Sequence, residues 1–538
     1  MSSAAFHRPS GARHSTDVGI VLALVVLTIG LPAAAAAAAG ALWIPHNDSW
    51  AHSRIAATLA ETGTLQLIGF NRAAMVGMMA PLGPLGASIV AQHLFVMACG
   101  SAVVGFSYGL ARQFLGRWPA ALVAATVGAA PGFALLSTSY MTDVPMMAGI
   151  SAALYFGSRF ISAGRPLHLA LAAGFGLWGV TVREQALAAL VAVLAAGLAY
   201  RRDRRATSAL ISFLALTLVV AFEMWRRSQA GDDPPQLGLG LGYALRGTAM
   251  GVMTLLFVSS PVLLGTLRRA GGKTRILMGA AAALAGGALL GLLGPGMLLG
   301  NYFTPDGAYL AMSYGTRETL PQAYFWGAGL LAVVALVALA LRTGDVLPLS
   351  WRMGRGRIAC GHGQTALLVL FIALYLGGTF LQTLSGQGIF ERYFYPVIAP
   401  LAILALRGVR LDRLRTLLAA SALAFVSLGS AAIALHTWTS TGAAWRAAES
   451  LVAGGMDPRD VDAGFAWVGY HSSSAVAPQP ARDEAIGGWA LFEDSRQCAL
   501  VSLATPTEET SDVTSIPYSR YLVAGRDQVL IERLPACR

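Results

Sequence analysis

Between Val18 and Trp50 the chain reads VGIVLALVVLTIGLPAAAAAAAGALWIPHNDSW, and two features of this stretch decide its architecture. The first is an apolar run over residues 18–42, preceded by the polar, basic residues 1–17. A signal-peptide core of roughly 7 to 15 residues is shorter than that, so the run is expected to remain as a membrane anchor. The second is the abrupt change to His46-Asn47-Asp48-Ser49-Trp50, which pins a carboxylate at the membrane surface. Residues 51–61 follow, with Ile55 and Leu59 on an apolar face and His52, Arg54 and Glu61 on a polar one, the pattern of a short interfacial helix.

The rest of the chain extends the theme. Its 538 residues are 55% hydrophobic and only 12% charged, with a mean hydropathy of +0.60, outside the soluble globular range. The reading is an all-α polytopic membrane protein with about thirteen spans, each long enough to satisfy its own backbone within ~30 Å of hydrocarbon. They fall at residues 18–42, 84–109, 118–137, 143–161, 167–182, 185–200, 207–224, 247–267, 276–299, 322–341, 364–384, 392–407 and 415–436.

The net charge of +11 sits in short linkers between these runs, which argues against nucleic acid as a partner. Alternate linkers hold Arg8 and Arg13, Arg112 and Arg117, Arg159 and Arg165, Arg201 to Arg205, Arg268 to Arg275, Arg342 to Arg357, and Arg407 to Arg415. By the positive-inside rule these are cytoplasmic. Residues 1–17 then form a cytoplasmic tail, 18–436 a transmembrane domain with a first external loop at 43–83, and 437–538 an extracytoplasmic domain. Lys273 is the sole lysine among abundant Arg, Ala and Gly, a composition that fits a high-GC bacterium and hence its inner membrane. The cytoplasmic linkers are too short for a nucleotide-hydrolysing domain. Gly271-Gly272-Lys273-Thr274 lacks the first glycine of a phosphate loop, Leu267 standing in its place, and reads as a turn.

The domain over 437–538 reads as a small α/β unit, with a helix at 443–453 and short strands at 465–470, 521–524 and 529–531. Cys99 lies in a span and Cys360 in a cytoplasmic loop, whereas Cys498 and Cys537 both fall outside, where a bridge between them is expected.

The alternation gathers polar groups on the external side: Asp48, Asp143 within Tyr140-Met141-Thr142-Asp143-Val144-Pro145, Arg183-Glu184 between two short spans, Glu391-Arg392-Tyr393, and Asp306, Arg317 and Glu318. Ionisable groups at span ends are functional candidates unless they merely snorkel or close a turn with an ion pair. His46 and His52 flank Asp48, but their spacing fits no metal-site pattern, so no metal ligand is assigned. Two carboxylates and two arginines suit transfer of a sugar from a lipid phosphate: a carboxylate deprotonates the acceptor hydroxyl while guanidinium forks hold the departing phosphate. No cofactor is required for this, although the chemistry leaves room for a divalent metal. The donor's isoprenoid tail would lie among membrane lipids.

In their order and side, the first-loop Asp48, the Thr-Asp-x-Pro segment at 142–145, the polar break at Arg183-Glu184 and the Arg-Tyr-Phe-Tyr-Pro run at 392–396 resemble the GT-C superfamily of integral-membrane glycosyltransferases. More narrowly they resemble its family 39-like branch of protein O-mannosyltransferases and the lipid A aminoarabinose transferase. The resemblance implies a polyprenyl-phosphate-linked sugar as donor, a lipid, glycan or protein hydroxyl as acceptor, and inversion at the sugar carbon. It implies Asp48 and Asp143 as the catalytic acidic residues, Arg183 and Arg392 as phosphate contacts, and His46, His52, Glu184 and Tyr393 in support. Many relatives carry a second acidic residue next to the first-loop one; here Ser49 stands there. The alternative from another class is a secondary transporter or a flippase of sugar lipids, with the same charges lining a pathway. A third is a non-catalytic scaffold binding cell-wall polymer.

Overall fold

The computed structural model describes residues 11–68, 73–229, 240–267, 273–308, 317–352, 360–472, 497–503, 513–521, 525–534 and 537, with side chains for all but 11–14, 73, 344–352 and 360–361. Among these, nine helices are long and apolar enough to cross a membrane: Ser15–Ala38, Ile89–Arg112, Asp143–Ala163, Arg202–Arg227, Leu241–Leu264, Lys273–Met297, Gln322–Thr343, His362–Leu384 and Arg413–Ala453. The protein is therefore a multi-pass membrane protein. The four remaining expected spans are present as the shorter helices Arg117–Gly128, Pro166–Val182, Leu187–Tyr200 and Tyr395–Leu406. Their 12 to 17 residues reach only about 18–26 Å. Of the thirteen segments expected to span, nine are thus helices of full spanning length among the described residues and four are shorter.

The inner layer is the pair Asp143–Ala163 and Leu241–Leu264, whose apolar windows are each 78% buried. Lys273–Met297 and Arg202–Arg227, at 11% and 17%, form the rim and turn residues such as Phe213, Leu284 and Leu292 outward, as lipid-facing helices must. In the first helix Pro32 has no N–H to return to Thr28, and the turn Val26–Gly30 before it widens to a π-helix. Exposed Trp43, Trp225 and Trp326 sit near the ends of spans and Trp118 begins another helix, the places where indoles favour a membrane interface.

Basic linkers that the arginine pattern assigns to one side lie against each other. Arg342 donates to the carbonyl of Ala405 at 3.2 Å and Arg415 to that of Leu267 at 3.1 Å, while Asp17 accepts from Tyr108 at 2.6 Å and from Arg117 at 2.9 Å. Lys273-Thr274 opens the helix Lys273–Leu293; Gly271-Gly272 lies outside the described residues.

Helix Arg413–Ala453 has 41 residues, about 62 Å at 1.5 Å each, twice the hydrocarbon thickness. It carries on past the bilayer, so position 436/437 falls inside an unbroken helix and the expected external helix at 443–453 is its outer end. Asp412 caps its start, accepting from the Arg415 N–H at 2.9 Å. Beyond it a four-stranded sheet, β1 (Val461–Asp462), β2 (Ala499–Ser502), β3 (Val513–Ser519) and β4 (Arg526–Arg533), runs in the order β1-β2-β4-β3. The first pair is parallel and the others antiparallel, with Ile516 opposite Val529. Cys498 and Cys537 are bridged, Cα to Cα 5.2 Å, the pairing expected of them.

One expected strand, 465–470, is a helix, Phe465–His471. Its aromatic and β-branched residues suggest a strand, but Gly464 at φ 92° turns the chain, and Trp467 then packs edge-on to Trp445 at 4.9 Å, so tertiary packing overrides strand propensity. Of the expected strand at 521–524, residues 522–524 lie outside the described residues; the one at 529–531 lies within β4.

The same short helix clamps the first external loop. That loop forms the helix Ser49–Thr62, ended by Gly63 at φ 70° with its N–H on the Leu59 carbonyl. It does not float at the lipid surface, as its amphipathic pattern suggests; Ser49 through Ser53, Ile55 and Ala56 are buried, with the segment Ala80–Ala87 and the helix Phe465–His471 packed against this helix. Gly469 lies so close to Trp50 that a Cβ there would stand 2.3 Å from the indole, and Arg54 donates to the Gly469 carbonyl at 3.0 Å. On another flank Arg317 pairs with Asp527 of β4 at 3.3 Å.

Candidate active site

Asp48 ends the turn into helix Ser49–Thr62. The turn is made by Asn47 at φ 48°, a left-handed conformation that asparagine tolerates better than most residues. His46 fixes the approach: its N–H donates to the Ser49 hydroxyl at 2.6 Å and its ring contacts the Ala41 carbonyl at 2.8 Å. Asp48 occupies the helix N-cap position, yet its side chain makes no capping bond and faces a cavity instead.

That cavity, about 420 Å³, is lined by Asp48 and His52 of the first loop, Thr142 and Asp143, Arg183 and Glu184, Gln382 and Gln387, and Arg392 and Tyr393. Residues from four separate stretches of sequence meet there. Asp143 opens the helix Asp143–Ala163 and is the hub: its Oδ1 receives Arg183 Nη1 at 2.6 Å and lies 3.3 Å from Arg392 Nε. Its side chain is 2% exposed and that of Arg392 6%, so this is a buried ion triad. Such a triad persists only if each charge is matched, and the matching is shared with aromatic faces. The Arg183 guanidinium lies over Tyr393 at 4.4 Å, while Arg392 is surrounded by Phe390 at 4.8 Å, Tyr302 at 5.1 Å and Tyr393 at 5.5 Å. Oδ2 of Asp143 is buried with no hydrogen-bond partner.

Burial pushes the Asp48 carboxyl above the usual aspartate range; Arg392 and Arg183 pull it back and the Asp143 charge raises it further. Burial also pushes Glu391, next to Arg392, up to about 7. His46 is driven the other way, to about 4, again by burial, which keeps it a neutral structural imidazole and removes it from the cavity's chemistry. His52 does line the cavity, with Nδ1 3.2 Å from the Tyr140 carbonyl.

Arg183 and Glu184, adjacent at the turn, face different partners: Arg183 faces Asp143, whereas Glu184 lies 3.4 Å from Arg226. Asp306, Arg317 and Glu318 do not line the cavity; Arg317 and the Glu318 carbonyl hold the C-terminal sheet through Asp527 and Arg520. The neutral amides Gln185, Gln382 and Gln387, with Asn301 behind Arg392, were not among the expected site residues. A search for charges at span ends passes over them, although Gln382 stands at the end of a span and Gln185 donates to it at 3.1 Å. The three glutamines also line a second cavity of about 510 Å³ that adjoins the first, its wall including the charged pair Glu184 and Arg226 and the apolar Leu187, Val191 and Leu374. Among the described residues no group of three or more His, Cys, Asp or Glu is placed to hold a metal ion.

Residues 76–225 match the model of a family described as dolichyl-phosphate-mannose-protein mannosyltransferase. The matched stretch contains Asp143, Arg183 and Glu184. No curated protein matches the chain. Among solved structures, ArnT from Cupriavidus metallidurans bound to undecaprenyl phosphate is similar at 13% identity and a TM-score of 0.38, over 98% of this chain and 99% of that one. The same protein in the apo state gives 14% identity and a TM-score of 0.37 over the same shares.

Proposed function

We propose that this chain, a membrane glycosyltransferase of the GT-C superfamily, moves a sugar from a polyprenyl-phosphate donor to an acceptor hydroxyl at the outer face of a bacterial inner membrane, with residues 1–17 cytoplasmic and the domain after residue 437 outside. The observation that carries the reading is the meeting of Asp48 with the Asp143–Arg183–Arg392 triad in one cavity at the span ends.

Asp48 is the general base. A carboxylate with no capping duty and a raised pKa suits proton abstraction from a sugar or protein hydroxyl. As the proton passes to Asp48, the acceptor oxygen attacks the anomeric carbon and the bond from that carbon to the phosphate oxygen breaks. Polyprenyl phosphate leaves with the bonding pair, and attack from the opposite face inverts the carbon. Arg183 and Arg392 face the growing negative charge, and Asp143, holding both guanidiniums from behind, fixes their separation before substrate arrives. The adjoining apolar cavity between the helices Leu187–Tyr200 and Cys360–Leu384 gives the isoprenoid a path into the bilayer. The acceptor is a lipid, glycan or protein hydroxyl.

A transporter or flippase wants its charges near the bilayer midplane, whereas these gather at span ends. The test is release of free polyprenyl phosphate by the purified protein from a polyprenyl-phosphate-linked sugar plus acceptor. Release dependent on Asp48 supports the enzyme; movement of intact donor across a vesicle membrane without release overturns it.

A further inference from the structure

Behind Arg392 lies a segment with no assigned role. The chain leaving helix Lys273–Leu293 folds back through residues 298–304, and three hydrogen bonds from unrelated parts of the protein hold it. The Leu299 N–H donates to the Thr254 hydroxyl at 2.8 Å, the Tyr302 N–H donates to Glu391 Oε1 at 2.5 Å, and Arg392 Nη1 donates to Asn301 Oδ1. The Tyr302 ring is fully buried and packs against Gly132. At φ 79° that glycine leaves no room for a side chain, since a Cβ would stand 2.5 Å from Cβ of Tyr302. The face of the same ring lies 5.1 Å from the Arg392 guanidinium. Glu391 and Arg392, adjacent in sequence, thus grip Tyr302 and Asn301, also adjacent, in a two-by-two bracket.

We propose that Asn301 is the positioning residue for Arg392, aiming its guanidinium at the donor phosphate without consuming its charge. This rests on the phosphate-binding role of Arg392 given above. The chemistry of the amide is the point. Within ion-pair distance the two guanidiniums share one carboxylate, Asp143, with Asp48 acting on them only across the cavity, so their direct contacts leave the arginine pair one positive charge in excess. An amide oxygen directs a guanidinium fork as a carboxylate does, yet leaves that excess for the incoming anion. A carboxylate at position 301 would have the same shape and cancel it. Glu391 does not cancel it by contact, because its Oε1 is taken by the Tyr302 N–H and its Oε2 has no hydrogen-bond partner.

The test compares N301D, N301A and R392A in the full-length protein in detergent, reading equilibrium binding of undecaprenyl phosphate together with kcat and donor KM. N301D is expected to weaken binding at least tenfold and N301A three- to fivefold, each through donor KM with kcat within twofold. A purely structural role would lower thermal stability and kcat in both variants and would not rank the isosteric N301D below the truncation. Weakened binding in R392A with N301D within twofold of wild type overturns this inference alone. Unchanged binding in R392A overturns both it and the phosphate site. Should N301D accumulate too poorly to assay, N301A decides: a donor KM raised at least threefold at constant kcat supports the role, and an unchanged KM removes it.

Discussion

Replacing Asp48 with Asn removes a base while keeping its size, and the surroundings of the residue allow the cost to be worked out. The side chain makes no helix-capping bond, so the substitution breaks no hydrogen bond that holds the helix Ser49–Thr62. General-base catalysis contributes roughly 10²- to 10⁴-fold, about 2.7–5.4 kcal/mol of barrier at 1.36 kcal/mol per tenfold, and D48N should lose turnover by that factor. Stability should move the other way. Burial raises the folded pKa above the unfolded value of ~3.9, so the ionised carboxylate costs stability above the folded pKa and nothing below the unfolded one. D48N should therefore melt no lower than wild type at pH 7 and match it near pH 3.5. In the wild type, kcat should rise with pH through the elevated Asp48 pKa, and that limb should vanish from whatever activity D48N retains. The assay follows polyprenyl phosphate released from a labelled donor in detergent across pH 5 to 9. Turnover in D48N above about a tenth of wild type would refute Asp48 as the base.

D143A leaves two buried guanidiniums without their shared carboxylate, a loss of about 3–5 kcal/mol out of a total of ~5–15, so poor yield and a lower melting temperature are expected, partly restored by added undecaprenyl phosphate. A melting temperature equal to wild type would contradict the triad. C498S opens a loop spanning 39 residues and should cost the C-terminal domain about 4 kcal/mol by chain entropy, read by thermal unfolding with and without reductant; identical curves would count against a structural bridge. G469A sets a methyl against the Trp50 indole and should cost about 1–3 kcal/mol while lowering kcat more than it raises KM, measured in the same transfer assay.

Much of this was legible in the sequence, and the reasons are physical. Hydrocarbon punishes any unpaired backbone or charge, so the spans and the exceptional residues Asp48, Asp143, Arg183 and Arg392 stand out from the apolar background. The arginine alternation set those four on one side, and the cavity gathers them. Three things lay beyond a linear reading. Helix Tyr395–Leu406 stops short with the carbonyl of Ala405 accepting from Arg342 of another helix, a partner of which periodicity carries no record. The fold of 465–471 was decided by Trp445, some twenty residues away, rather than by its own propensity. Asn301 is an uncharged residue in a loop, and only its placement against Arg392 gives it meaning.

The seat of Gly469 on Trp50 also bears on biogenesis. The helix that begins beside Asp48 is completed by a segment more than four hundred residues downstream, which has to be made and folded before it can dock. A half-inserted chain would carry its acid on a tether held from one end only. Transfer from scarce lipid-linked sugars should then begin only once that late segment is seated, so that a truncated chain spends none of them.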